Sequence, residues 1–113
     1  MEKLNSAFPD LLSDLTLALS ARPELIAQLN DASVVRVSFD EEADAGYIHV
    51  QAGRSLNAVE QRIIGVKHAK TLPLDGREWA NLDLDNFGRV TGIEILTPPA
   101  DVGALMKSRA SAD

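Results

Sequence analysis

The sequence predicts an α+β single domain: N-terminal helices packed on one face of a mostly antiparallel sheet of about 4–5 strands, then a short C-terminal helix. Three observations carry this. Apolar residues recur at helical spacing before Asn30, the period drops to two after it, and Asp85-Asn86-Phe87-Gly88 is a turn between two alternating runs. With 113 residues, 45% hydrophobic and 25% charged, the chain suits one domain with its own core. Residues 1–30 form the helical segment, 34–96 the sheet core and 98–113 a short helix with a fraying tail.

Leu11, Leu12, Leu15 and Leu19, then Leu25, Ile26 and Leu29, give two short helices broken at residues 20–22. Pro9 and Pro23 fall in their first turns, where a missing N–H costs nothing, and Asp10, Asp14 and Glu24 complement the helix dipoles. Val35, Val37 and Phe39 then alternate with Arg36, Ser38 and Asp40, and residues 47–50 return after an acidic turn. A third extended run covers residues 61–74, rich in β-branched Ile63, Ile64, Val66 and Thr71, with Gly65 as a bulge and Pro73 as its end. Residues 79–84 and 90–96 flank the turn as a hairpin. Thr97-Pro98-Pro99 stops the last strand, and Val102, Leu105 and Met106 mark the terminal helix.

One sheet face is expected to carry Val35, Val37, Phe39, Ile48, Val50, Leu82, Leu84, Ile93 and Ile95 toward the helices. Arg36, His49, Asp83 and Glu94 then face away from them. Trp79 is expected to pack at the edge of the core.

Charge and composition exclude several classes. Seventeen acidic against eleven basic residues give a net −6, which argues against nucleic acid, whose binding needs clustered cations. No apolar run approaches the ~18 residues of a membrane span, and the first ten residues lack a signal-peptide pattern, so a cytoplasmic protein is expected, with no membrane partner. The absence of cysteine removes disulfides, thiolate zinc sites and cysteine nucleophiles.

Residue patterns that carry chemistry elsewhere fail here on context. Asp83, Asp85, Gly88 and Glu94 have EF-hand spacing, but Phe87 stands where an oxygen ligand is needed and the flanks alternate as strands. His49 and His68 would need to converge with a carboxylate to catalyse or bind metal, and nothing in their spacing requires it. Ser33, Ser38 and Ser55 sit in no nucleophile elbow, and Gly46, Gly53 and Gly65 make no phosphate loop. The sequence therefore offers no catalytic residue, metal site or cofactor. The acidic stretch 40–44 has two readings: Asp40 caps a turn that Glu41 and Glu42 fill, or the cluster meets an arginine-rich partner.

Residues 37–48, running from Val37-Ser38-Phe39 through the acidic turn to Gly46-Tyr47-Ile48, and residues 80–96, ending Gly92-Ile93-Glu94-Ile95-Leu96, resemble the small bacterial family Domain of Unknown Function 2283. The resemblance spans about residues 34–96. Gly46 departs from it, standing where leucine is common, and the segment between the two halves is longer. It implies a small antiparallel sheet and a bacterial or phage origin, and brings no activity, catalytic residue or cofactor.

The expected function is a non-enzymatic acidic interaction module, such as an antitoxin or immunity protein, that neutralises a basic protein partner. The alternative is a small-molecule- or metal-binding enzyme built on His49, His68 and the hairpin carboxylates. Expected partner contacts are Glu41, Glu42, Asp44 and Tyr47 on and beside the turn, and Asp83, Asp85 and Glu94 on the hairpin. The turn ranks first, because Arg36 or Arg89 is expected to answer the hairpin carboxylates. An exposed strand edge also invites a homodimer.

Overall fold

A computed structural model gives the architecture over residues 1–52 and 58–111; Gly53 and Ser55, weighed above, lie outside the described residues, as do tail residues 112 and 113. Proline sets two of the helix starts. After a four-residue helix, α1 (Leu4–Ala7), Pro9 opens α2 (Pro9–Ala18) and Pro23 opens α3 (Pro23–Asp31), with Asp10 and Glu24 in the first turns. α1 is one turn long, too short for a period to show in sequence, yet it buries Leu4 and Ala7.

The strands are β1 (Ser33–Asp40), β2 (Ala45–Gln51), β3 (His68–Leu74), β4 (Arg77–Asp85) and β5 (Val90–Leu96), all paired antiparallel in the order β1-β2-β5-β4-β3. Between β2 and β3 lies α4 (Ala58–Ile64), and α5 (Ala100–Ser111) closes the chain. None of the described helices is long and apolar enough to cross a membrane.

Four expectations are corrected. The run 61–74 is not one strand: Ile63 and Ile64 end α4, and Gly65 at φ 73° is the left-handed stop of that helix rather than a bulge. Pro73 lies inside β3 opposite Asn81, which an edge strand tolerates because one side of its backbone has no partner strand. Val35 is 54% exposed, since a bulge between Val34 and Arg36 turns it outward and lets Val34 face Val50. Finally, residues 108–111 do not fray: Arg109 donates to Glu2 Oε1 at 2.6 Å and lies over the Phe8 ring, so α5 continues through Ser111.

The core joins Phe8, Leu15 and Leu29 from the helices to Ile48, Leu82, Ile93 and Ile95 from the sheet. Trp79 is half-buried and packs against it. Polar clamps fix the layers. Gln28 of α3 donates to Gly88 O at 2.9 Å and accepts from Val90 N at 2.8 Å, while Arg77 takes both oxygens of Asp14 on α2. That pairing raises the Arg77 pKa further above its ordinary value.

Met106 of α5 is fully buried beside Phe39, and Gly46 makes the room. A Cβ at position 46 would lie 2.7 Å from Met106 Cε and 2.5 Å from the Ser38 carbonyl oxygen. Glycine at position 46 thus has a physical reason: a larger side chain there would collide with Met106 and the Ser38 carbonyl. Gly46→Ala is expected to lose about 1–3 kcal/mol of stability by overpacking, measured by urea denaturation; an unchanged midpoint would contradict the packing of α5 described here.

Candidate functional site

The helices α1 and α5 contact β1, and α3 contacts β5, all on the core side. Strand alternation therefore sends a second set of side chains to the opposite face. Cross-strand register arranges this set in two rows. One runs Arg36, His49, Gly92, Asp83, Thr71; the other runs Ser38, Tyr47, Glu94, Asn81, Pro73.

Asp83 is the hub. Tyr47 leaves its own row, lies across Gly92 and donates its hydroxyl to Asp83 Oδ2 at 2.5 Å. Any Cβ at position 92 would collide with the phenol's Oη, Cζ and Cε1, so only glycine permits this reach. Thr71 donates to Asp83 Oδ1 at 2.7 Å, and His68 Nε2 lies 3.5 Å from that oxygen and 3.2 Å from the Thr71 hydroxyl. Beside the hub, Glu94 accepts from the Asn81 amide at 3.0 Å. Arg36 meets His49 Nε2 at 3.2 Å, and the His49 ring tilts against Tyr47 with centroids 4.4 Å apart. A guanidinium only donates, so Nε2 of His49 is the unprotonated acceptor. Burial and then the nearby Arg36 charge push the His49 pKa below its ordinary value, consistent with that assignment.

The acidic residues named from sequence fall into three kinds. Asp85 is 3% exposed and is spent internally: its carboxylate accepts from the amides of Phe87 and Arg89 and from the Arg89 guanidinium at 2.8–2.9 Å. It shapes the hairpin turn. In the 40–44 turn, Asp40 Oδ1 caps the amides of Glu42 and Ala43, and Glu41 pairs with Lys107 at 3.1 Å, leaving Glu42 and Asp44 exposed. Asp83 and Glu94 form the third kind. Their bonded donors are neutral hydroxyls and an amide, and among the described residues neither has a lysine or arginine partner. The expected internal answer occurs at Asp85, which Arg89 pairs, but not at Asp83 or Glu94, because Arg36 goes to His49.

His49 and His68 do not meet, since β5 and β4 lie between their strands, at about 4.8 Å per strand step. Among the described residues no group of three or more His, Asp or Glu is placed to hold a metal ion. The EF-hand spacing resolves into a hairpin whose Asp83 and Asp85 are held in different surroundings. Thr71, Asn81 and Gly92 were not singled out as site residues from the sequence. Parity along the hairpin would have placed Asn81 and Gly92 beside Asp83, and the two-residue Asp75-Gly76 turn, with Gly76 at φ 73°, is the local signal for the pairing of β3 with β4 that brings in Thr71.

Comparison with protein-family models, with curated proteins and with solved structures finds no match for this chain.

Burial and then the Asp83 hydrogen bond raise the Tyr47 pKa above its ordinary value. The unfolded phenol ionises near pH 10, so this group's stabilisation is whole below about pH 10 and is lost as the pH rises toward the folded value. Tyr47 is the single tyrosine, so absorbance at 295 nm reports it alone. The native protein is expected to titrate above pH 10 and Asp83→Asn to titrate lower than wild type; a wild-type midpoint at 10 would contradict the buried, Asp83-bound phenol.

Proposed function

We propose that this chain is a non-enzymatic interaction module that binds a basic protein, in the manner of an antitoxin or immunity protein, through the uncovered sheet face and the acidic turn at its end. One observation carries the reading. Asp83 and Glu94 stand on the sheet face opposite α1, α3 and α5, bonded by neutral donors and, among the described residues, paired with no lysine or arginine; the one cationic group near Asp83 is the exposed His68, 3.5 Å away. Carboxylates that are held in place but not neutralised favour arginine or lysine from outside, because the side-chain ordering cost is already met. The net charge of −6 steers a basic partner toward this surface and repels nucleic acid and anionic membranes.

The resemblance to Domain of Unknown Function 2283, with the bacterial origin it implies, belongs to this proposal, as does a cytoplasmic location. So does a homodimer. Its seam would be β3, because β1 is already extended by the Lys3–Ser33 bridge, although Pro73 and Lys70 make β3 a guarded edge.

The test is affinity capture at low salt from the cells that make the protein, comparing wild type with Asp83→Asn/Glu94→Gln. Basic proteins held by wild type are expected to bind the variant about tenfold or more weakly, with its circular dichroism spectrum preserved. Retention of the same proteins by both forms would show that these carboxylates bind no partner.

A further inference from the structure

We propose that the groove between the β1–β2 turn and α5 is a seat for an arginine side chain of the basic partner, with Lys107 holding part of its rim in the free protein. This rests on the reading of the chain as a binder of basic protein and names the contact. The groove measures about 420 Å³, within the size range of ligand pockets. Its lining divides into an apolar part, the floor, from Phe39, Pro98, Pro99, Ala100, Gly103 and Ala104, and a charged part, the rim, from Glu41, Asp44 and Lys107.

Floor and rim suit different parts of one side chain. An arginine stem of three methylenes lies along apolar surface while its planar fork bonds carboxylates, and two carboxylates at the rim suit a fork better than a point charge. The floor is open at Gly103, where a Cβ would meet only Pro98 Cγ, at 3.4 Å. Asp44 is fixed in place. Its backbone is left-handed at φ 49°, and its carbonyl accepts from Thr97 N at 2.7 Å. Its carboxylate has no cationic partner among the described residues.

Lys107 shows what the rim attracts. Its ammonium sits 3.1 Å from Glu41 Oε1, with both side chains more than half exposed. An ion pair so open to water is weak, so an incoming guanidinium that reaches both Glu41 and Asp44 displaces it. Lys107 is then an internal competitor. Removing it improves the site, the opposite of what loss of an ordinary contact residue does.

The experiment follows backbone amide shifts of Gly103, Ala104 and Asp44 by NMR as N-acetyl-arginine amide is added to the full chain, with the uncharged N-acetyl-citrulline amide as control. Arginine is expected to shift these amides and citrulline to leave them in place. Lys107→Met should bind arginine about two- to fivefold more tightly. Gly103→Leu, which fills the floor, should abolish the shifts, and Asp44→Asn, which keeps a residue tolerant of left-handed backbone, should weaken them. Equal response to citrulline, weaker binding by Lys107→Met, or full binding by Asp44→Asn each overturns the inference. A silent groove with partner capture that still depends on Asp83 and Glu94 overturns this inference alone. Loss of both overturns the interaction reading as well.

Discussion

Tyr47 reaches Asp83 only because residue 92 has no side chain. The ring starts on β2, crosses the backbone of β5 and ends on β4, where Thr71 of β3 bonds the same carboxylate. One hub thus ties four of the five strands together on the face opposite α1, α3 and α5. Hydrogen bonds to a charged group contribute about 1.5–3 kcal/mol each, enough to order side chains that would otherwise sample many rotamers on an open sheet. The apolar face is held by burial, and the polar face holds itself.

Three carboxylates near one hairpin show how surroundings divide roles. Asp85 lies within the turn, takes three N–H donors and is matched by Arg89, so its charge is used up in shaping the chain reversal. Asp83, two residues earlier, points to the open face and is bonded by hydroxyls that orient it without cancelling it. Glu94 shares that condition through Asn81. Gln28 of α3 clamps the turn from the core side and so fixes the register that keeps Asp83 opposite Gly92. A slip of one residue would exchange the faces and bury the carboxylates.

Much of this architecture is written in local periods. Leu11, Leu12 and Leu15 mark a helix face, Pro9 and Pro23 mark helix starts, and alternation from Asp83 to Glu94 marks the hairpin; each signal lies within one element. The misses share a cause in contacts between elements. The bulge that exposes Val35 depends on pairing with β2, and the continuation of α5 depends on Arg109 finding Glu2 and Phe8 across the chain. Gly46 reads as a turn residue until Met106 is seen against it. At the site, Asp83 and Glu94 were legible as polar-face residues, and Tyr47 as a neighbour of the acidic turn. That Asp83 is the hub follows from β3, whose pairing only the Asp75-Gly76 turn announces, and that Asp85 beside it is closed off follows from the turn amides, which leave no trace in spacing.

The most direct test of this account is a proton NMR measurement of close contacts between the Tyr47 ring and the α protons of Gly92 in the unmodified protein. A ring lying across residue 92 and tied to Asp83 predicts strong cross-relaxation to both Gly92 α protons and an upfield ring-current shift of at least one of them. A Tyr47 ring with no such contacts, and Gly92 α protons at ordinary shifts, would mean that the open face is not organised around Asp83.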